Sequence, residues 1–361
     1  MVKFKQILKI ILCIFAISTI IFHSTTSIRG AQEGIKLCIY TILPALFPYC
    51  VLSIWLRSML SNQNSKYMRP FEKFINLPSG CGLIFLLGLL GGYPIGAICV
   101  DQEQKNGRIS TITANYLRPI CNNAGPSFVI GIISASFDNR YYPYYLLLIQ
   151  ALSSILLCII FLVPSKGNYL PHNTKEITFN NAVKQAISYM VNICATVIIF
   201  RVILSIINYY TLGTFPNEWI TIINGLIELT NGVISLKNIQ NTAIRFVIAS
   251  GLISFGGLCV HIQTASLSSP GTYKYYLLCS IIKSVINILF ALIYITCNSI
   301  YKILVIYLFT LVILKITKCL LHKKVVAIPE KMMYNTPIKW IGGQNNALQK
   351  KASTSMWILP I

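Results

Sequence analysis

Two stretches rich in glycine and proline lie inside long apolar runs of this chain. The first is Gly88-Leu-Leu-Gly-Gly-Tyr-Pro-Ile-Gly96, and the second is Ile120-Cys-Asn-Asn-Ala-Gly-Pro126. Glycine weakens a helix and proline removes a backbone donor, so we expect both stretches to interrupt helices. In hydrocarbon, freed backbone groups are tolerated only where they are buried in protein or line a wet cavity. Paired interruptions of this kind are typical of the solute sites of transporters.

The composition is that of a membrane protein. The chain has 361 residues, of which 55% are hydrophobic and 11% charged, and its mean hydropathy is +0.67. These values exclude an ordinary soluble domain and predict an all-α, multi-pass protein of the cell membrane, with the lipid bilayer as its partner. The net charge of +21 is attributed to basic loops that face anionic lipid, so no nucleic-acid partner is expected.

Apolar runs predict ten membrane segments, of which about eight should cross the bilayer. Two short ones, 81–99 and 219–235, are expected to be re-entrant. The first segment is interpreted as a retained helix, because no clear signal-peptide cleavage site follows it. The ten segments are 7–27, 34–60, 81–99, 111–137, 143–163, 184–210, 219–235, 243–269, 275–297 and 300–320.

The distribution of Lys and Arg predicts the orientation of these segments. With the N-terminus inside, the basic stretches around Lys166–Lys184 and after Leu321 fall on the cytoplasmic side. The loop Thr211–Glu218 contains no Lys or Arg and is expected outside.

The chain also has the pattern of a doubled protein. Gly34-Ile-Lys-Leu-Cys-Ile39 is similar to Ala182-Val-Lys-Gln-Ala-Ile187, and Gly88-Leu-Leu-Gly-Gly92 is similar to Gly251-Leu-Ile-Ser-Phe-Gly-Gly257. In the predicted topology one half starts outside and the other inside, which makes an inverted repeat. The glycine-rich match equates 81–99 with about 244–262, whereas the topology makes the first re-entrant and the second crossing. The sequence leaves this conflict open.

Five stretches together resemble the sporulation integral membrane protein YlbJ family, within the wider nucleoside-recognition or Gate-domain group. The resemblance spans about residues 34 to 298. It implies a membrane protein of endospore-forming cells that is needed for spore cortex or coat maturation, and it implies no particular substrate. The matching stretches are Leu43-Pro-Ala-Leu-Phe-Pro48, Gly88-Leu-Leu-Gly-Gly-Tyr-Pro-Ile-Gly-Ala97, Cys121-Asn-Asn-Ala-Gly-Pro-Ser-Phe128, Glu228-Leu-Thr-Asn-Gly232 and Ser254-Phe-Gly-Gly-Leu-Cys-Val-His-Ile-Gln263.

The predicted organisation is a Gate-type core of two inverted repeats with additional helices around it. An N-terminal membrane helix precedes the core, a membrane helix and cytoplasmic loop link its halves, and a last helix leads to a basic cytoplasmic tail. In that order, the six parts are 1–33, 34–140 (first repeat), 141–183 (link), 184–298 (second repeat), 299–321 and 322–361.

Glu228 is the sharpest single candidate, because it lies in an apolar run without a nearby Lys or Arg. A carboxylate inside a membrane costs several kcal/mol unless it is paired, protonated or hydrated. Spacing on a continuous helix would place Asn224 and Asn231 on the same face as Glu228. The carboxylate could bind a proton, a cation or solute, or it could be a structural partner of Arg201.

The remaining candidates cluster at the glycine-rich interruptions, where amide side chains and freed carbonyls could bind a solute. The alternative is that these side chains only satisfy the broken backbone. A lone histidine such as His261 is more often structural. The full predicted solute site is Gly91, Gly92, Tyr93, Asn122, Asn123, Pro126, Glu228, Asn231, Gly256, Gly257 and Gln263.

The sequence contains no enzyme motif, and its twelve cysteines show no metal-ligand spacing, so neither catalysis, nor a metal, nor a cofactor is expected. The favoured function is transport or sensing of a small solute during spore formation, with a coupling ion as an option. A non-transporting scaffold for sporulation factors and a general nucleoside or ion permease are the alternatives. A homo-oligomer is compatible with all three.

Overall fold

The computed structural model describes residues 2–60, 68–160, 176–211, 213–267 and 273–297, together with Tyr301 and Tyr307. Within these residues the chain is helical and contains no strand. Most of the predicted segment 300–320, the tail 322–361 and the cytoplasmic loop 161–175 lie outside the described residues.

Fifteen α-helices make up the described part of the chain. A π-helical turn (Cys38–Ile42) joins α2 to α3, and 3-10 turns follow α8 (Ile133–Ser136) and α12 (Leu236–Asn238). The helices are α1 (Val2–Phe22), α2 (Ser24–Leu37), α3 (Leu43–Leu60), α4 (Arg69–Ile75), α5 (Gly82–Gly91), α6 (Ile95–Lys105), α7 (Thr111–Cys121), α8 (Pro126–Gly131), α9 (Tyr142–Ile160), α10 (Phe179–Thr211), α11 (Asn217–Ile227), α12 (Leu229–Ser235), α13 (Thr242–Phe255), α14 (Gly257–Leu267) and α15 (Tyr273–Cys297).

Five helical stretches in the described residues are long and apolar enough to cross a membrane. Two shorter apolar stretches are Gln6–Phe22, within α1, and Gly82–Gly91, which is α5. The chain therefore has the helices of a membrane protein, as its composition predicts. The five stretches are Ser24–Met59, Tyr142–Ile160, Phe179–Thr211, Thr242–Ser266 and Tyr273–Thr296.

The order of elements repeats once along the chain. A long helix (α2–α3) is followed by two interrupted helices (α5–α6 and α7–α8) and another long helix (α9). The same succession then recurs as α10, α11–α12, α13–α14 and α15. The predicted boundary at residue 33 falls inside α2, which runs from Ser24 to Leu37.

The segment α11–α12 folds back on itself as a helical hairpin. The Thr221 hydroxyl donates to Ser235 O at 3.3 Å, and Asn217 Nδ2 donates to Asn238 O at 3.2 Å. A continuous helix would separate the second pair by about 30 Å. The contact therefore brings the two ends of the hairpin together, which is the geometry expected of a re-entrant segment.

The segment α5–α6 makes the same kind of hairpin. A Cβ atom built on either Gly88 or Gly96 would lie 2.0 Å from Cys121 O, so both glycines contact one carbonyl from opposite arms. By contrast, α13 and α14 run on as one stretch, Thr242–Ser266. The sequence match of 81–99 with 244–262 is therefore wrong as a structural equivalence. In the order of elements, the second hairpin has the same place in the later half of the chain as the first hairpin has in the earlier half.

We expect Gly96→Ala to destabilise the protein, because its new methyl group would overlap Cys121 O. Overpacking of this kind typically costs about 1–3 kcal/mol. Gly131→Ala is the matched control, since a Cβ there meets nothing within 4 Å. Thermal unfolding of both purified variants measures the effect. Equal unfolding temperatures would contradict the close approach of the hairpin to α7.

Candidate functional site

Four helix interruptions meet in the interior of the bundle. They lie at 92–94, 122–125, 228 and 256. A Cβ on Gly92 would lie 2.7 Å from Gly125 N, and one on Gly257 would lie 2.8 Å from Gly225 O. A Cβ on Gly256 would lie 3.2 Å from the Tyr93 ring. The interruptions predicted at Tyr93-Pro94 and Asn122–Gly125 are thus present; they contact each other through Gly92 and Gly125, and the first also contacts the interruption at Gly256.

Glu228 forms the tip of the second hairpin. Its backbone is extended (φ −140°, ψ 115°), so α11 ends before it and α12 begins after it. Its carboxylate accepts the backbone N–H of Thr230 at 2.9 Å and that of Asn231 at 2.7 Å. These N–H groups have no partner within the helix, and the positive end of the helix dipole favours the carboxylate. Glu228 is 2% exposed, so this N-cap is what stabilises the charge.

One prediction around Glu228 is wrong, and the alternative that it pairs with Arg201 is not what the structure shows. Asn224 and Asn231 do not share a helical face with it, because the helix is interrupted at Glu228 itself. Arg201 is also not its ion-pair partner among the described residues. Arg201 instead bonds Asn231 Oδ1 and lies 3.8 Å from the carboxylate of Glu33.

The C-terminal end of α7 is stabilised by a residue that sequence reasoning missed. Lys283 of α15 is 1% exposed. Its Nζ donates to Pro119 O at 3.1 Å, Asn122 O at 2.8 Å and Asn123 Oδ1 at 3.1 Å. The signal that could have found it is an intramembrane lysine, which is rare and costly unless partnered.

The side chains of the two asparagines at this interruption form hydrogen bonds with other groups of the protein. Asn122 Nδ2 donates to Thr264 Oγ1 at 3.0 Å and to the Tyr276 hydroxyl at 2.8 Å. Asn123 Nδ2 donates to Ile120 O at 2.9 Å. These contacts correspond to the structural alternative. In that alternative, the amide side chains form hydrogen bonds with backbone groups freed by the interruption and with neighbouring hydroxyls.

Backbone carbonyls beside the interruption at Gly256 accept hydrogen bonds from a residue in the first half of the chain. The Tyr93 hydroxyl lies 3.0 Å from Ile253 O and 3.1 Å from Ser254 O and donates to these two carbonyls in the last turn of α13. His261 Nε2 lies 3.0 Å from Phe255 O. His261 thus has the structural contact expected of a lone histidine, and Tyr93 links the two halves.

A cavity of about 60 Å³ lies where the interruptions meet. Ordered water needs about 10–15 Å³, so the cavity accepts a few waters or one small ion. Drug-sized ligands occupy about 300–1,000 Å³, which excludes a nucleoside in this conformation. Three predicted site residues, Tyr93, Glu228 and Gln263, line the cavity.

The other predicted residues do not line this cavity. Some of them let neighbouring backbones pack closely, some lie where a helix is interrupted, and some donate or accept hydrogen bonds to neighbouring helices. No three His, Cys, Asp or Glu side chains of the described residues come together as a metal-ion site. The predicted residues outside the cavity lining are Gly91, Gly92, Asn122, Asn123, Pro126, Asn231, Gly256 and Gly257.

The chain was compared with known proteins. No protein-family model, curated protein or solved structure matches it.

We expect Tyr93→Phe to lower the unfolding temperature, because it leaves the carbonyls of Ile253 and Ser254 without their donor. Loss of a partner for a buried polar group costs about 1–3 kcal/mol. The control is Tyr144→Phe, since that side chain is 53% exposed. A Tyr93→Phe variant as stable as the control would show that the link between the halves contributes nothing to stability.

Proposed function

We propose that this chain is a Gate-type membrane transporter that moves a small solute, with Glu228 as the charged group of its site. The observation that carries the proposal is the buried Glu228 carboxylate at a half-helix N-terminus, facing a small cavity at the junction of four interruptions. Interrupted helices whose ends face a central site are the usual construction of secondary transporters.

The order of elements supports the finer architecture of this proposal. Two hairpins are taken as re-entrant, and α1, α2–α3, α7–α8, α9, α10, α13–α14, α15 and the segment 300–320 as the eight crossings. With the N-terminus inside, the first succession starts outside and the second inside. The two successions then form the inverted repeat of a Gate-type core.

Contacts at the ends of the elements support this topology. At the inner end, Glu103 of the first hairpin forms buried ion pairs with Arg57 and with Arg108, the latter at 3.4 Å. At the outer end, Arg245 donates to Ser136 O at 2.6 Å and, through Nε, to Ile239 O at 2.9 Å. Each group joins residues that the proposed topology places on one side.

The outer end supplies a path towards the cavity. A larger cavity of about 600 Å³, here called the outer vestibule, is lined by residues that include Ser127, Ser136 and Lys237. Thr41, Ala45 and Ile132 line both the vestibule and the central cavity, so these side chains lie between the two. Solute would enter the site from outside in this conformation.

A role in spore cortex or coat maturation rests on the resemblance to the YlbJ family. A membrane scaffold would keep the same helices but would not require the charge of Glu228. A general permease would be present in growing cells, whereas a sporulation protein would appear with the onset of spore formation. Expression timing separates these two cases.

We expect Glu228→Gln to abolish function while the protein stays folded in the membrane. Glutamine keeps the size and one acceptor oxygen for α12, but it cannot bind a proton or balance a cation. Because Arg201 pairs with Glu33 and Asn231, the substitution strands no buried cation. The measurement is protein level beside spore resistance or solute uptake, in a spore-forming host with the variant as sole copy.

Glu218→Gln is the matched control, since Glu218 lies in the first turn of the same hairpin. Its function and level should equal those of the wild type. Normal function of Glu228→Gln at normal level would remove Glu228 from the site and favour the scaffold.

We also expect Ala45→Phe to block function at normal protein level. A phenyl ring at this position would lie between the outer vestibule and the central cavity and would obstruct passage from one to the other. Ala195→Phe serves as the control, since Ala195 lies on α10 away from both cavities and its side chain is exposed. The same growth or uptake assay applies. Full activity of Ala45→Phe would exclude the outer vestibule as the entry path.

A further inference from the structure

Lys283 lies in a cage of oxygen atoms at the end of α7. Two backbone carbonyls, Pro119 O and Asn122 O, and the amide oxygen Asn123 Oδ1 all lie within 3.1 Å of its Nζ. An ammonium group has three donors, so the three acceptors match it fully. No water or side chain outside the cage is needed to complete its hydrogen bonds.

The charge of Lys283 has no carboxylate partner. No ion pair of the described residues includes it, and the titratable side chains around it are the thiols of Cys121, Cys158 and Cys279 and the ring of His261. An unpaired buried ammonium is costly. The compensation comes from the negative end of the α7 dipole and from the carbonyls that the interruption has freed.

Oxygen cages of this kind suit a small cation. Freed carbonyls at the C-terminal end of a half-helix are the ligands with which interrupted membrane helices coordinate monovalent metal ions. Asn122 Oδ1 is also buried and has no hydrogen-bond partner, so the same turn carries a further oxygen. The cage therefore has the ligand chemistry of a site for a monovalent cation, and the group that lies in it is the Lys283 side chain.

We propose that the Lys283 ammonium holds the place of a monovalent metal cation, so that this cage is filled without any bound ion. Removal of the side chain then exposes a carbonyl site that takes an alkali cation such as Na⁺ or K⁺. The site is separate from the Glu228 cavity, and the proposal stands whether or not the chain transports a solute.

The test uses the purified full-length protein in solutions of choline, Na⁺, K⁺ or Li⁺ chloride at one ionic strength. In choline, Lys283→Ala should unfold about 5–10 °C below the wild type, because the cage has lost its charge. One of the alkali cations should restore the unfolding temperature in a saturable way, as expected of a ligand that binds the folded state. The wild type should unfold at the same temperature in all four salts.

Two variants serve as controls. Lys274→Ala removes an exposed lysine of the same helix and should behave as the wild type. Lys283→Met removes the charge but fills the space, so it should be destabilised without rescue by any cation. The proposal would be overturned if no alkali cation stabilised the Lys283→Ala variant. It would also be overturned if the alkali cations stabilised the wild type as strongly as the variant.

If Lys283→Ala does not accumulate in the membrane, Lys283→Gln decides the question. Glutamine offers two donors to the cage without a charge. The proposal requires that this variant unfold several degrees below the wild type. A Lys283→Gln variant as stable as the wild type would show that the cage needs only hydrogen-bond donors, and it would also overturn the proposal.

Discussion

The structure depends on satisfying backbone groups at helix ends that lie inside an apolar bundle. Each interruption frees N–H or C=O groups that lipid cannot solvate. Glu228 accepts the free N–H groups of α12, Lys283 donates to the carbonyls of α7, and Tyr93 donates to those of α13. Gln150 donates to Ala124 O at 3.2 Å. The polar residues of the interior are therefore placed where the backbone needs partners.

This constraint explains why two opposite charges remain apart in the same interior. No ion pair of the described residues joins Glu228 to Lys283. Each group is stabilised by the end of a different half-helix, the carboxylate at a positive end and the ammonium at a negative end. A direct pair would neutralise both and leave the helix ends unpartnered. Keeping them separate leaves Glu228 in the lining of the small cavity.

The sequence predicts the interruptions well, because Gly, Pro and Asn act locally on the backbone. It also predicts the two short segments that fold back as hairpins. It fails at Glu228, where helical periodicity assumes a continuous helix through a residue that ends one. It fails again at Lys283, which lies in the smooth apolar run of α15 and has partners about 160 residues away in sequence. Partners that only the tertiary fold brings together leave no local pattern.

The contacts between the interruptions are made largely by glycine backbone. Gly92 packs on Gly125, and Gly225 packs on Gly232, where a Cβ would lie 2.1 Å from the opposing Cα. Such surfaces let neighbouring backbones approach each other more closely than any larger side chain would allow. The far end of the first hairpin is different, because the buried ion pair of Glu103 with Arg57 joins it to α3. The first hairpin is therefore held in two ways, by glycine backbone at the centre of the bundle and by buried charges at its own far end.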